Sequence, residues 1–135
     1  ERSTGIRSIL RFMQTGRPFY YLPDQDPGEA SFEFVPFFGV PTATITAMSR
    51  IADMAKAVVI PCFIRQLPGG QGYEISFKPV MEGFPSGDLM HDVTRMNAEI
   101  EKGVREMPEQ YMWTYKRFKT RPENAQCLYA RRKTP

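Results

Sequence analysis

Asp24-Gln25-Asp26 places two carboxylates two positions apart, directly after the apolar run Phe19–Leu22. In open α/β sheets, ligands bind in the crevice beyond the carboxyl ends of the strands. A carboxylate pair there could bind a metal, orient a base or contact a basic ligand. The same pair ahead of Pro27-Gly28 also suits plain turn chemistry. A second candidate is Val35-Pro36-Phe37-Phe38-Gly39. Phe37 and Phe38 would suit an acyl chain or a membrane surface, or core packing under a loop. The third is Tyr115-Lys116-Arg117-Phe118-Lys119-Thr120-Arg121, where cations alternate with aromatics. Arg117, Lys119 and Arg121 could grip phosphates, the arginines in bidentate fashion. Such a pattern also binds nucleic acid, and it equally describes a solvated basic face.

His91 is the only histidine and has no Cys or His neighbour. An exposed or capping role is expected for it. Without a second histidine, no Ser-His-Asp or Cys-His arrangement can be assembled. There is no P-loop, no GxGxxG and no zinc spacing. Cys62 and Cys127 form no CxxC pair and are too few for a disulfide framework, which suits a reducing compartment. Cys62 lies in an apolar run and reads as a small core residue. These residues describe half an active site at most.

The chain that must position them has 135 residues, about one domain's worth. With 41% apolar and 24% charged residues it has a globular profile, which excludes a disordered tail, a collagen repeat and a coiled coil. No apolar run approaches the roughly 18 residues that a membrane-spanning helix needs. The net charge of +3 is unevenly spread. Through Gln110 there are 11 Lys+Arg against 14 Asp+Glu, and from Tyr111 onward 7 against 1. A basic tail from about residue 111 favours an anionic partner: phosphate, acidic lipid, nucleic acid or an acidic carrier protein.

Apolar spacing predicts a helix over Gly5 to Thr15, capped by Ser3 or Thr4 and stopped by Gly16. Phe19 to Leu22 reads as a short buried strand. Phe32 to Pro41, interrupted by Pro36, Gly39 and Pro41, reads as a strand fragment followed by an apolar loop. A helix is predicted over Thr42 to Ala57, and a buried strand over Val58 to Ile64. Gly69-Gly70 signals a hairpin leading into the alternating strand Tyr73 to Lys78. A long helix is predicted from Asp88 to about Met107, ended by Pro108. This order predicts an α/β fold, with a mixed sheet flanked by helices. About three strands make a thin sheet for that class, so the chain reads as the C-terminal part of a larger domain.

Four segments carry a resemblance: YYLPDQDPG (Tyr20 to Gly28), FEFVPFFGVPTAT (Phe32 to Thr44), VVIPCFIR (Val58 to Arg65) and PEQYMWTYKRFKTRPE (Pro108 to Glu123). In this order they resemble the late acyltransferases of lipid A biosynthesis, the lauroyl- and myristoyl-transferase family. The last segment, with Trp113, Arg117, Phe118 and Lys119, is the most specific.

The resemblance implies a glycerolipid-acyltransferase-like domain, of which residues 1–135 would be the C-terminal part. It implies transfer of a fatty acyl group from acyl carrier protein to a hydroxyacyl chain of a Kdo-bearing lipid A precursor. The setting would be the cytoplasmic face of the bacterial inner membrane, with no cofactor, no metal and no nucleic acid. The family's implicated aspartate matches Asp26 best, as polar support of the site. Asp24, Phe37, Phe38, Arg117, Lys119 and Arg121 would face the substrates.

The sequence departs from the family pattern at the family's His-x4-Asp/Glu motif. Five positions after His91 stands Met96, and His91 also comes too late in the motif order. The usual upstream arginine and membrane helix are missing as well, so this segment alone is expected to be inactive. Tyr115 stands where the family usually has histidine. The alternative from the residues alone is a basic α/β binding module for nucleic acid or anionic lipid.

Overall fold

The computed structural model describes residues 5–28 and 30–129. The first helix, α1 (Ile6–Gln14), follows Gly5 and ends in a turn at Gly16, whose φ of 77° needs glycine's freedom. The predicted caps Ser3 and Thr4 lie outside the described residues. Phe19–Leu22 is not a strand: among the described residues nothing pairs with its main chain.

Phe32 to Ile45 departs most from expectation. Rather than a strand fragment and loop, it is a β-hairpin of β1 (Phe32–Phe37) and β2 (Val40–Ile45). Phe38 and Gly39 make its two-residue turn with φ of 49° and 74°, the left-handed pair that matches strand twist. The prolines fit because Pro36 faces Pro41. In antiparallel pairing, hydrogen-bonded and non-bonded pairs alternate. Phe37 and Val40 flank the turn as a bonded pair, so Pro36 and Pro41 form a non-bonded one. Their missing N–H groups would have pointed outward, and no ladder bond is lost.

The hairpin also takes Thr42–Ile45 from the predicted helix. Threonines there alternate with Ala43 and Ile45, the period of a strand. The helix α2 is therefore only Ala47–Ala55, closed by Lys56 at φ 51°.

Val58 to Pro61 lies outside the strand β3 (Cys62–Gln66). That strand pairs antiparallel with β4 (Tyr73–Phe77) around Gly69-Gly70, as predicted. The helix α3 (Leu89–Glu106) also follows expectation, with the Asp88 carboxylate accepting from the His91 N–H at 3.1 Å. Helices and strands are thus combined as predicted, but among the described residues the strands form two separate two-stranded antiparallel sheets.

The core is small. Val35 packs with Val93 and Met96 of α3, and Ala52 packs with Met81 and Phe84. Met48 touches both clusters. Phe63 rests on Gly103, where any Cβ would overlap its ring. Asp92 is 1% exposed yet fully partnered. It accepts from Ser49 Oγ at 2.7 Å, Ser86 N at 2.9 Å and Ser86 Oγ at 2.8 Å, tying α2 and the 81–87 loop to α3. Burial pushes the Asp92 carboxyl up, but these bonds and the nearby His91 outweigh it and hold its pKa below the ordinary value.

Candidate functional site

The outer edge of β2 organises the basic segment. Counting from the turn, Pro41 and Ala43 are non-bonded positions whose carbonyls point away from β1. Arg117 donates to the Ala43 carbonyl at 2.5 Å, and Arg121 donates to the Pro41 carbonyl at 2.8 Å. Two guanidinium groups thus occupy the place of a neighbouring strand. Arg117 also donates to Thr44 Oγ1 at 3.1 Å and lies over the Phe37 ring at 5.5 Å. Thr44 Oγ1 is a junction: it accepts from Asn97 of α3 as well, at 3.0 Å, and donates to the Thr42 carbonyl.

This placement differs from a solvated basic face. Arg117 is 2% exposed. Burial depresses its pKa, opposed by Tyr111, Asp24, Asp26 and Tyr115; a guanidinium titrates so high that it stays charged. The structure also places Phe37 in the core, 0% exposed, against Phe118 and Tyr111 rather than on a binding loop. Phe38 holds the hairpin turn. Its N–H donates to Glu101 at 2.7 Å, and its ring lies against Trp113 and under Arg105. Lys119 is exposed.

Asp26 joins the two most distant motifs. Its N–H donates to the Tyr115 hydroxyl at 2.9 Å, 89 residues away in sequence. Its carboxylate accepts from Thr120 N at 2.9 Å, Thr120 Oγ1 at 3.1 Å and Gly28 N at 3.2 Å. These donors satisfy most of its capacity, which makes Asp26 a staple between loop 23–28 and segment 115–120.

Asp24 faces elsewhere. It lines a largely apolar cavity of about 580 Å³ beside Tyr111. The remaining wall includes Met48, Ile51, Ile100 and Val104 from the two helices. Burial raises the Tyr111 phenol well above its ordinary pKa, and the neighbouring Asp24 carboxylate adds to this. The Tyr111 phenol therefore stays protonated across the physiological range.

Sequence reasoning singled out Asp24 and Asp26 but missed Tyr111, Thr120, Thr44 and Asn97. Tyr111 and Thr120 lie within the most specific motif, which is the one signal that could have found them. Thr44 closes the FEFVPFFGVPTAT segment, and nothing in the sequence marks Asn97. His91 is exposed in the first turn of α3, as expected. Among the described residues, no group of three His, Cys, Asp or Glu side chains could hold a metal. Among the described residues, no helix is long and apolar enough to cross a membrane.

Comparison with known proteins gives this geometry its context. Residues 1–120 match the bacterial lipid A biosynthesis acyltransferase family. The chain is 36% identical over 125 residues to the lipid A biosynthesis lauroyltransferase of Escherichia coli K12, covering 92% of this chain and 41% of that protein. It is 38% identical over 122 residues to a lipid A biosynthesis acyltransferase of Haemophilus influenzae, covering 90% and 38%. It is 37% identical over 120 residues to the myristoyltransferase of Escherichia coli K12, covering 89% and 37%. The chain spans about two fifths of the length of these curated relatives. Motif order, the closure of those motifs on one another and the match over most of its residues agree: the chain belongs to the bacterial lipid A biosynthesis acyltransferase family.

Proposed function

We propose that this chain forms one wall of a lipid A acyltransferase site, within a single acyltransferase domain. The reaction moves a fatty acyl group from acyl carrier protein to a hydroxyacyl chain of a Kdo-bearing lipid A precursor, at the cytoplasmic face of the bacterial inner membrane. A base takes the proton of the acceptor hydroxyl, and the oxygen attacks the thioester carbonyl. The C–S bond then breaks, and the carrier thiol leaves with a proton. His91 is not assigned as the base. It is exposed, and Met96 stands where an orienting acid would be needed.

The observation that carries this reading is the Asp26 staple. Two of the four segments that carry the resemblance, Tyr20–Gly28 and Pro108–Glu123, meet at one residue. Asp26 is thus a positioning residue that sets the height of segment 115–120 over the loop. Asp24 and Lys119 are the charged groups left to meet the substrates, and Arg117 and Arg121 act through β2. Arg117 and Arg121, two of the seven cations of the basic tail, are engaged inside the chain, which weighs against the nucleic-acid reading.

The test is replacement. The matching residues of the Escherichia coli lauroyltransferase are exchanged for this chain, and lipid A from cells lacking that enzyme is examined by mass spectrometry. Restored lauroylation is expected from the chimera and no transfer from the 135 residues alone. A folded, expressed chimera that adds no acyl group would overturn the assignment.

A further inference from the structure

The two hairpins treat their outer edges differently. Along β2, outward carbonyls are taken by Arg117 and Arg121. Along β3, the bonds Lys78 N to Pro61 O and Leu67 N to Gly72 O fix which residues face β4. By alternation, Pro61, Phe63, Arg65 and Leu67 bond inward, while the main chains of Cys62, Ile64 and Gln66 point outward. Among the described residues, only Gln66 is covered. The Gln110 carboxamide accepts from its N–H at 2.8 Å and donates to its carbonyl at 3.1 Å. Among the described residues, nothing pairs with the outward groups of Cys62 and Ile64. An unpaired strand edge is a ready template for another strand.

Cys62 and Ile64 line the 580 Å³ cavity, and residues 19–22 line it too, again with an unpaired main chain. The side chains around this gap suit a buried sheet yet are exposed: Val58 is 70% and Tyr20 61% exposed. Fully apolar runs such as Val58–Ile60 are typical of strands covered on both faces. The curated relatives carry about three fifths of their length outside the part that matches this chain.

We infer that the outer edge of β3 is a seat for an additional apolar β-strand, supplied by the portion of the acyltransferase domain that these residues do not span. Main-chain bonds to Cys62 and Ile64 would hold that strand, and residues 19–22 would flank it. Gln110 marks where the pairing stops. The inference rests on family membership and on the single-domain reading proposed above.

Hydrogen exchange on the chimera described above tests it, with the Phe63 amide as internal reference because it bonds within the hairpin. The Ile64 amide should exchange at least about 100-fold more slowly in the chimera than in the isolated chain and reach the protection of Phe63. Ile64→Pro removes no bond of the β3–β4 ladder, since that N–H points outward. It should leave Phe63 protected and release Cys62. Ile64 exchanging near the free-peptide rate in the chimera overturns the inference, as does loss of protection at Phe63 itself. Protection of Ile64 produced in the isolated chain by dodecanoate alone assigns the edge to a lipid and also overturns it. The two readings fail separately. An active chimera with fast Ile64 exchange removes the strand seat, and an inactive chimera with slow exchange removes the acyltransferase assignment.

Discussion

Asp26 holds Thr120 by two hydrogen bonds, from its N–H at 2.9 Å and its hydroxyl at 3.1 Å. That contact fixes the C-terminal segment, and Arg117 then anchors the segment to β2. On the proposed reading, Asp26 of the Tyr20–Gly28 segment serves function, and Arg117 of the Pro108–Glu123 segment serves stability.

Arg117 belongs to stability. Arg117→Ala leaves the Ala43 carbonyl without its buried donor, at about 1–3 kcal/mol for an unsatisfied group, while the Thr44 hydroxyl keeps only Asn97. Lys119→Ala, at an exposed position, should stay within about 0.5 kcal/mol of the parent. Urea unfolding of the two variants compares them directly. Equal midpoints would contradict the buried placement.

Gly103 tests the packing of the second hairpin on α3. Alanine normally stabilises a helix by about 1 kcal/mol over glycine. Here Gly103→Ala drives a methyl into the Phe63 ring, and overpacking costs about 1–3 kcal/mol. A net loss of thermal stability is expected, recovered in part by Phe63→Leu. A gain in melting temperature would show that the ring is not seated there.

How much of this was legible in sequence depends on the kind of signal. The helices α1 and α3 were readable because apolar spacing, Gly16 and Asp88 all agree. The β1–β2 hairpin was not. Pro36 and Pro41 argue against a strand until their partnership is known, and Phe38 carries a left-handed φ that sequence does not announce. Thr42–Ile45 fits a helical stripe as well as a strand. Within the site, the turn Asp24–Gly28 was readable from its residue types. That Arg117 would be buried was not, because it answers carbonyls whose direction is set by register alone.

Asp92 predicts a pH dependence. Its folded pKa lies below the unfolded one, so its contribution is fully present above the ordinary carboxylate range and is lost as pH falls through the folded value. Unfolding midpoints should therefore drop on acidification below about pH 4. Asp92→Asn should lower stability at neutral pH and flatten that acid limb. An acid limb as steep as the parent's would assign it to other carboxylates.

The most direct measurement is the acyl transfer rate of the lauroyltransferase chimera carrying Asp26→Ala, beside its parent and Lys119→Ala. Misplacing a positioned group by about 1 Å can cost 100-fold in rate. Asp26→Ala is predicted to lower kcat by about that factor while circular dichroism and the unfolding midpoint show a folded protein. A folded Asp26→Ala chimera that turns over at the parental rate would contradict the account.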